Sequence, residues 1–251
     1  MKILLLGANG YLGPHVIAAI GDDHELLITD LDDNGPSGAK NYRKVDVSDL
    51  EQVVDAASGM DAIINLSVLR YEPKIAFDVN ARGCYNVMVA ATRHGIRRII
   101  NTGPHFTVTG ATYEESDYGI GPDSPTQSGT NLYAITKSLG QEICRVFTEN
   151  YDVFVIMLMF YNFRDTENSQ SGRDVFMAGG GSYTDTPFIV SWKDAGSVFD
   201  QALKVDLEKL ESRCEQFFVL ADTPHGKFSN EKTKRILGWQ PRDSLDLYWK
   251  K

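Results

Sequence analysis

The sequence predicts a doubly wound α/β fold on a parallel sheet, and three observations carry that prediction. The chain opens with a strand-length apolar run, Ile3-Leu-Leu-Leu6, that breaks into glycines spaced three apart, Gly7, Gly10 and Gly13. Short apolar runs then alternate with amphipathic stretches of helix length, the pattern of parallel strands joined by crossover helices. The second apolar run, Glu25-Leu-Leu-Ile-Thr-Asp30, ends on a carboxylate 17 residues past Gly13.

In chain order, a first strand and glycine turn lead into a helix over 12–20 that Gly21 caps. A strand at 25–30, a polar Gly/Pro loop at 32–40 and a short strand at 42–45 follow. Ser48 is placed as the N-cap of a helix over 49–57, with Gly59 near its end. The pattern continues with a strand at 61–66, a long helix over 74–93 and a strand at 97–102. Residues 128–150 contain a second long helix, and 153–159 another strand. Residues 161–190 break the rhythm: Gly179-Gly-Gly181 and Pro187 predict loops. A helix over 192–205, a strand at 216–221 and a terminal helix over 230–237 before Gly238 complete the chain. Residues 1–160 read as a nucleotide-binding core. Residues 161–251 supply the remaining sheet elements and a small substrate-binding region, not an independent domain.

A formal charge of −9 excludes a general nucleic-acid or anionic-membrane surface. Cys84, Cys144 and Cys214 are widely separated, odd in number and without CxxC spacing, which predicts reduced thiols in a cytoplasmic protein and excludes a disulfide framework. His15, His24, His94 and His225 lack metal-ligand spacing, so no metal is expected. The longest strongly apolar stretch, 153–160, is far short of the ~20 residues a membrane helix needs.

The glycine turn has a chemical reading. Gly7 permits a tight turn, Gly10 close backbone approach, and Gly13 lets the new helix lie against the sheet. The N–H groups of this loop, through Asn9, Tyr11 and Leu12, together with the positive end of the helix, suit a pyrophosphate. At the end of the second strand Asp30 is placed to accept from adenosine ribose hydroxyls and to repel a 2′-phosphate. Asp32 and Asp33 follow it and the nearest cation is Lys40, so NAD is expected over NADP. Farther on, Tyr133 and Lys137 stand at i and i+4 on one helical face. A phenol with pKa near ~10 is a poor base at neutral pH, and a neighbouring cation makes its proton exchange feasible.

Together these residues resemble an extended-type short-chain dehydrogenase/reductase of the NAD-dependent epimerase/dehydratase superfamily. The resemblance runs through Gly7-x-x-Gly10-x-x-Gly13, Asp30, Asp46-Val47, Asn65-Leu66-Ser67, Asn80 with Gly83 and Asn86, Tyr133-x-x-x-Lys137 and Leu237-Gly-Trp239-Gln-Pro241. It implies a Rossmann fold in which Asp46 and Val47 lie by the adenine and Asn65, Leu66 and Ser67 line the cofactor. It further implies that Asn80 packs behind the active site, that Lys137 reaches the nicotinamide ribose and that Tyr161 flanks the nicotinamide. The sequence departs from the family where a serine usually follows the fifth strand. The chain reads Thr102-Gly-Pro-His105-Phe-Thr107 there, leaving His105, Thr107 and Thr102 as candidates for that serine's hydrogen bond.

The implied activity is Tyr-assisted hydride transfer at a hydroxyl or carbonyl of a sugar or sugar-acid substrate, with compact members such as uronate dehydrogenases most similar. A nucleotide-sugar epimerase and a catalytically silent NAD-binding redox sensor are the alternatives. Arg70, Arg164 and Arg173 are the candidate clamps for a substrate carboxylate or phosphate. Family members often pair through their two long helices, which makes a homodimer an expectation of the resemblance.

Overall fold

The computed structural model describes residues 1–105, 107, 118–166 and 187–245. Its main sheet has seven strands in the order β3-β2-β1-β4-β5-β6-β9, every pair parallel. The strands are β1 (Lys2–Leu6), β2 (Glu25–Asp30), β3 (Tyr42–Lys44), β4 (Ala62–Asn65), β5 (Arg98–Pro104), β6 (Phe154–Phe160) and β9 (Cys214–Phe218). From β1 the chain winds outward to β3, then returns to β1's other side and winds to β9. The order therefore reverses between β1 and β4, and ligands of open parallel sheets bind in the crevice at such a switch point.

Alternation along β1 shows how both faces become core. Ile3 and Leu5 join one apolar cluster, Leu4 and Leu6 the other. The first face is covered by α1 (Gly13–Ile20) and α6 (Trp192–Lys204), through Val16, Ile20, Val198 and Phe199. The second is covered by α2 (Leu50–Ala57), α4 (Gly83–His94) and α5 (Leu132–Asn150), through Val53, Val87, Met88 and Cys144.

Several boundaries differ from the sequence reading for identifiable reasons. Asp49, not Ser48, caps α2, its side chain accepting from the Gln52 N–H at 3.2 Å. Ser48 donates instead to the Asp46 carboxylate through both its N–H and its hydroxyl. Gly21 does end α1, but at φ −67°, a right-handed conformation that needs no glycine. The expected helix over 74–93 is three pieces: α3 (Pro73–Ala76), a π-helical turn (Phe77–Arg82) and α4. The second long helix starts at Leu132, where Asn131 caps it by accepting from the Ala134 N–H. Residues read as loops contain two short strands, β7 (Asn162–Arg164) and β8 (Ile189–Ser191), which pair in parallel beside the main sheet. The last main strand begins earlier than expected, at Cys214, and the terminal helix is largely a π-helical turn (Thr233–Leu237) closed by Gly238 at φ +68°. Arg173 and the triple glycine lie outside the described residues.

Candidate active site

The glycine turn sits at the switch point. Gly7 has φ +78°, and a Cβ there would stand 2.6 Å from the Ser67 backbone nitrogen, so the turn and the approach of the β4 loop both require glycine. A Cβ on Gly13 would collide with the Ala8 carbonyl, which fixes how closely α1 packs on the strand. At Gly10 a Cβ would meet only the Gly7 oxygen, at 3.3 Å, leaving the backbone open to the crevice. Tyr11 is exposed, and Leu12 opens α1 without capping it through its side chain. Those glycines, that open helix end and the carboxylate of Asp30 fit the pyrophosphate and ribose of a dinucleotide.

Asp30 also braces the loop, accepting from the N–H of Asn9 at 2.8 Å and of Leu31 at 2.7 Å through separate oxygens. Each oxygen keeps a lone pair for a hydroxyl. The Asn9 side chain turns away to Asp32 and the Asn34 carbonyl, both at 2.8 Å, so it fixes the rim. Asp46 organises the turn before α2, and Val47 is buried against Gly83.

Behind the crevice lies a buried polar layer. Asn65 and Asn101 occupy matching positions on β4 and β5, and Asn65 donates to Asn101 at 3.0 Å while accepting from the Ser67 N–H. Leu66 continues the β1 pairing, its N–H donating to the Leu6 carbonyl. Lys137 is buried, and its ammonium donates to the carbonyls of Ser67 at 2.9 Å and Thr102 at 3.1 Å. Burial brings that ammonium down to about 8, the Arg70 cation adding to the fall and the Cys84 and Cys144 thiols opposing it. A hydrogen bond from Cys144 lowers the Cys84 thiol, while the same contact and burial raise Cys144.

Tyr133 is half-buried one turn before Lys137. The Arg70 guanidinium lies over its ring, with the guanidinium carbon 5.1 Å from the ring centre. Burial pushes the phenol above its usual range, and the Arg70 charge pulls against that. Asn80, fully buried in the π-helical turn, ties these parts together. Its amide donates to the Leu69 carbonyl at 2.6 Å and to the Thr136 hydroxyl at 2.9 Å, and accepts from the Leu69 N–H at 3.1 Å. The neighbour of Arg70 is thus fixed to the neighbour of Lys137.

The candidates for the missing serine differ in what they have left to offer. Thr102 donates its hydroxyl to the Asn65 carbonyl and Thr107, fully buried, donates to the Pro104 carbonyl. His105 is buried with its ring 4.7 Å from that of Tyr161 and 4.5 Å from that of Phe188. Of the two expected substrate clamps among the described residues, Arg70 and Arg164, the structure brings Arg70 to Tyr133 and Lys137. Arg164 is buried and lines a separate cavity of about 650 Å³ with His15, Trp192 and Arg242, between α1 and α6. Arg173 and the acidic Glu114-Glu-Ser-Asp117 stretch lie outside the described residues. What sequence reasoning missed is the contact of Arg70 with the phenol and the Asn65–Asn101 pair. The second had a signal: two asparagines at equivalent places in adjacent strands.

Comparison with known proteins agrees with this geometry. An NAD-dependent glucose-6-phosphate dehydrogenase of Haloferax volcanii is 22% identical over 96% of this chain and 93% of its own length. A uronate dehydrogenase of Pseudomonas syringae pv. tomato is 23% identical over 62% of this chain and 58% of its own. Among solved structures, uronate dehydrogenase from Agrobacterium tumefaciens superposes with a TM-score of 0.77 at 21% identity, over 99% of this chain and 86% of that one. Residues 3–169 match the NAD dependent epimerase/dehydratase family. That match covers most of the chain and carries the glycine turn, the Asn65 segment and the Tyr133/Lys137 pair: this protein belongs to the NAD-dependent epimerase/dehydratase family.

Proposed function

We propose that this protein is an NAD-dependent dehydrogenase that oxidises a small free sugar bearing a carboxylate or phosphate. The observation that carries the proposal is the Tyr133, Lys137 and Arg70 cluster beside the switch-point crevice, a proton carrier with two cations. The relatives named for glucose 6-phosphate and for uronate both act on anionic sugars, and Arg70 is a cation placed to meet such a group.

When bound, NAD accepts a hydride from the carbon being oxidised. The Gly7–Gly13 turn holds its pyrophosphate, Asp30 its adenosine ribose, and Asp46 with Val47 flanks the adenine. Asn65, Leu66, Ser67 and Thr102 form the wall beside its second half, where Lys137 donates to a ribose hydroxyl with the N–H its two carbonyls leave over. Tyr133 takes the substrate hydroxyl proton. His105, next to Tyr161, supplies the hydrogen bond to the substrate oxygen, because the hydroxyls of Thr102 and Thr107 already donate to carbonyls. Asn80 positions rather than touches. A homodimer through α4 and α5 completes this reading.

The test is NADH formation with a panel of neutral aldoses, uronates and aldose phosphates. Turnover is expected with an anionic sugar, and Tyr133→Phe should lower kcat by about 10²–10⁴-fold. NAD binding without turnover on any member would favour a silent NAD-binding protein instead. Recovery of the substrate's stereoisomer without net NADH would favour an epimerase.

A further inference from the structure

In the resemblance the cation that helps the tyrosine is the lysine one turn on. Here that lysine is occupied. Two of the three ammonium hydrogens of Lys137 go to the carbonyls of Ser67 and Thr102, and the group is buried behind the site. The cation that lies against the phenol is Arg70, its guanidinium over the ring of Tyr133 at 5.1 Å from the centre. Its place is built: Asn80 grips both backbone groups of Leu69, the preceding residue, and reaches to Thr136 on the helix that carries Tyr133.

We propose that Arg70 is a catalytic residue, whose guanidinium holds the negative charge of the Tyr133 oxygen before that oxygen takes the substrate's hydroxyl proton. The proposal rests on Tyr133 being the proton carrier. In the step itself, the substrate O–H bond breaks and the phenol O–H bond forms, while the electron pair left on the substrate oxygen becomes the carbonyl bond as hydride leaves for the oxidised nicotinamide. Arginine suits the task because it stays protonated wherever the reaction runs, whereas burial lets Lys137 lose its proton near pH 8. A guanidinium also carries five N–H donors, so one fork can hold the phenolate oxygen and an anionic sugar substituent together. Among the described residues of the elements around Tyr133, the other buried ionisable groups are Lys137 and Cys144 on α5, Cys84 on α4, and His105 after β5.

The test compares Arg70→Met and Arg70→Lys with the unaltered protein in two measurements. The first is ionisation of Tyr133 without ligands, followed by NMR of Cζ-labelled tyrosine, with Tyr133→Phe assigning the signal. The second is the pH profile of kcat at saturating sugar. Losing an opposite charge at this distance should move the phenol's titration, and the acid limb of kcat, to higher pH by about 1–3 units in Arg70→Met. Arg70→Lys, which keeps the charge, should recover part of both shifts. An unchanged tyrosine titration and kcat profile in Arg70→Met, with only KM raised, would overturn the proposal and leave Arg70 as a substrate clamp. Full activity in Tyr133→Phe would instead overturn the reading on which it rests.

Discussion

At the scale of single residues, Lys137 shows what the site costs the fold. Its ammonium sits in a buried layer, where charge is unfavourable, and its proton is held only to about pH 8. The unfolded chain keeps that proton up to the ordinary 10.5. Between those values the unfolded state binds more protons, so folding grows more favourable as pH rises, by about 1.4 kcal/mol per unit from this group. Lys137→Met removes the slope. Urea unfolding of the ligand-free proteins from pH 7.5 to 10 should therefore show the unaltered chain gaining about 2–3 kcal/mol relative to the variant. A constant difference across that range would mean the ammonium is not desolvated. The carbonyls of Ser67 and Thr102 explain why a costly charge can stay: they give it partners that no apolar replacement would satisfy.

At the scale of elements, the site depends on how α5 lies against the π-helical turn and α4. Gly140 makes that approach possible, since a Cβ there would run into the Asn80 carbonyl and come 2.8 Å from the Cys84 sulfur. Gly140→Ala must push α5 outward, and with it Tyr133 and Lys137 away from Arg70 and Ser67. Overpacking of this kind costs about 1–3 kcal/mol, and a displacement near 1 Å at reacting groups costs about 10²-fold in rate. The expected result is a lowered melting temperature with kcat falling more than KM rises. A variant with unchanged kcat would show that the crossing does not set the site. These features also mark the limit of what the sequence could tell. The order of strands and helices was legible because Ile3 to Leu6, Glu25 to Asp30 and Val153 to Phe160 are apolar runs bounded by turn residues. The three-residue strands β7 and β8 are too short to show a period. The π-helical turn shifts only a backbone bond, which leaves no pattern in side-chain types. The glycine turn, Asp30 and the Tyr133/Lys137 pair were visible as local spacings. Arg70 on Tyr133 and Asn80 on Thr136 join residues far apart in the chain, and only folding brings them together.

At the scale of the whole molecule, the helices that carry the site on one side present an apolar face on the other. Tyr85 on α4 and Leu139 and Val146 on α5 are each more than 40% exposed, and Tyr85, Phe147 and Tyr151 form a run of ring contacts across the two helices. Scattered exposed apolar residues are ordinary, but several on two adjacent helices beside a cluster of linked rings are the kind of surface that pairs with its own copy. Charge accompanies it: Glu142, Arg145 and Glu149 are ion-paired along α5, beside Val146, so the surface has the polar rim that interfaces carry. The homodimer proposed above would set α4 and α5 against their symmetry mates and so hold the helix that carries Tyr133 and Lys137 from behind. Sedimentation at micromolar concentration should give twice the 27.9 kDa of the chain. Leu139→Glu combined with Val146→Glu places like charges face to face across the symmetry axis and should return the mass to that of one chain. Because these residues point away from Lys137, the double variant should keep its fold yet lose thermal stability and part of its kcat, as α5 is freed at its outer side. A single-chain mass for the unaltered protein would refute the dimer. A monomeric variant with undiminished activity would show that pairing stabilises nothing at the site.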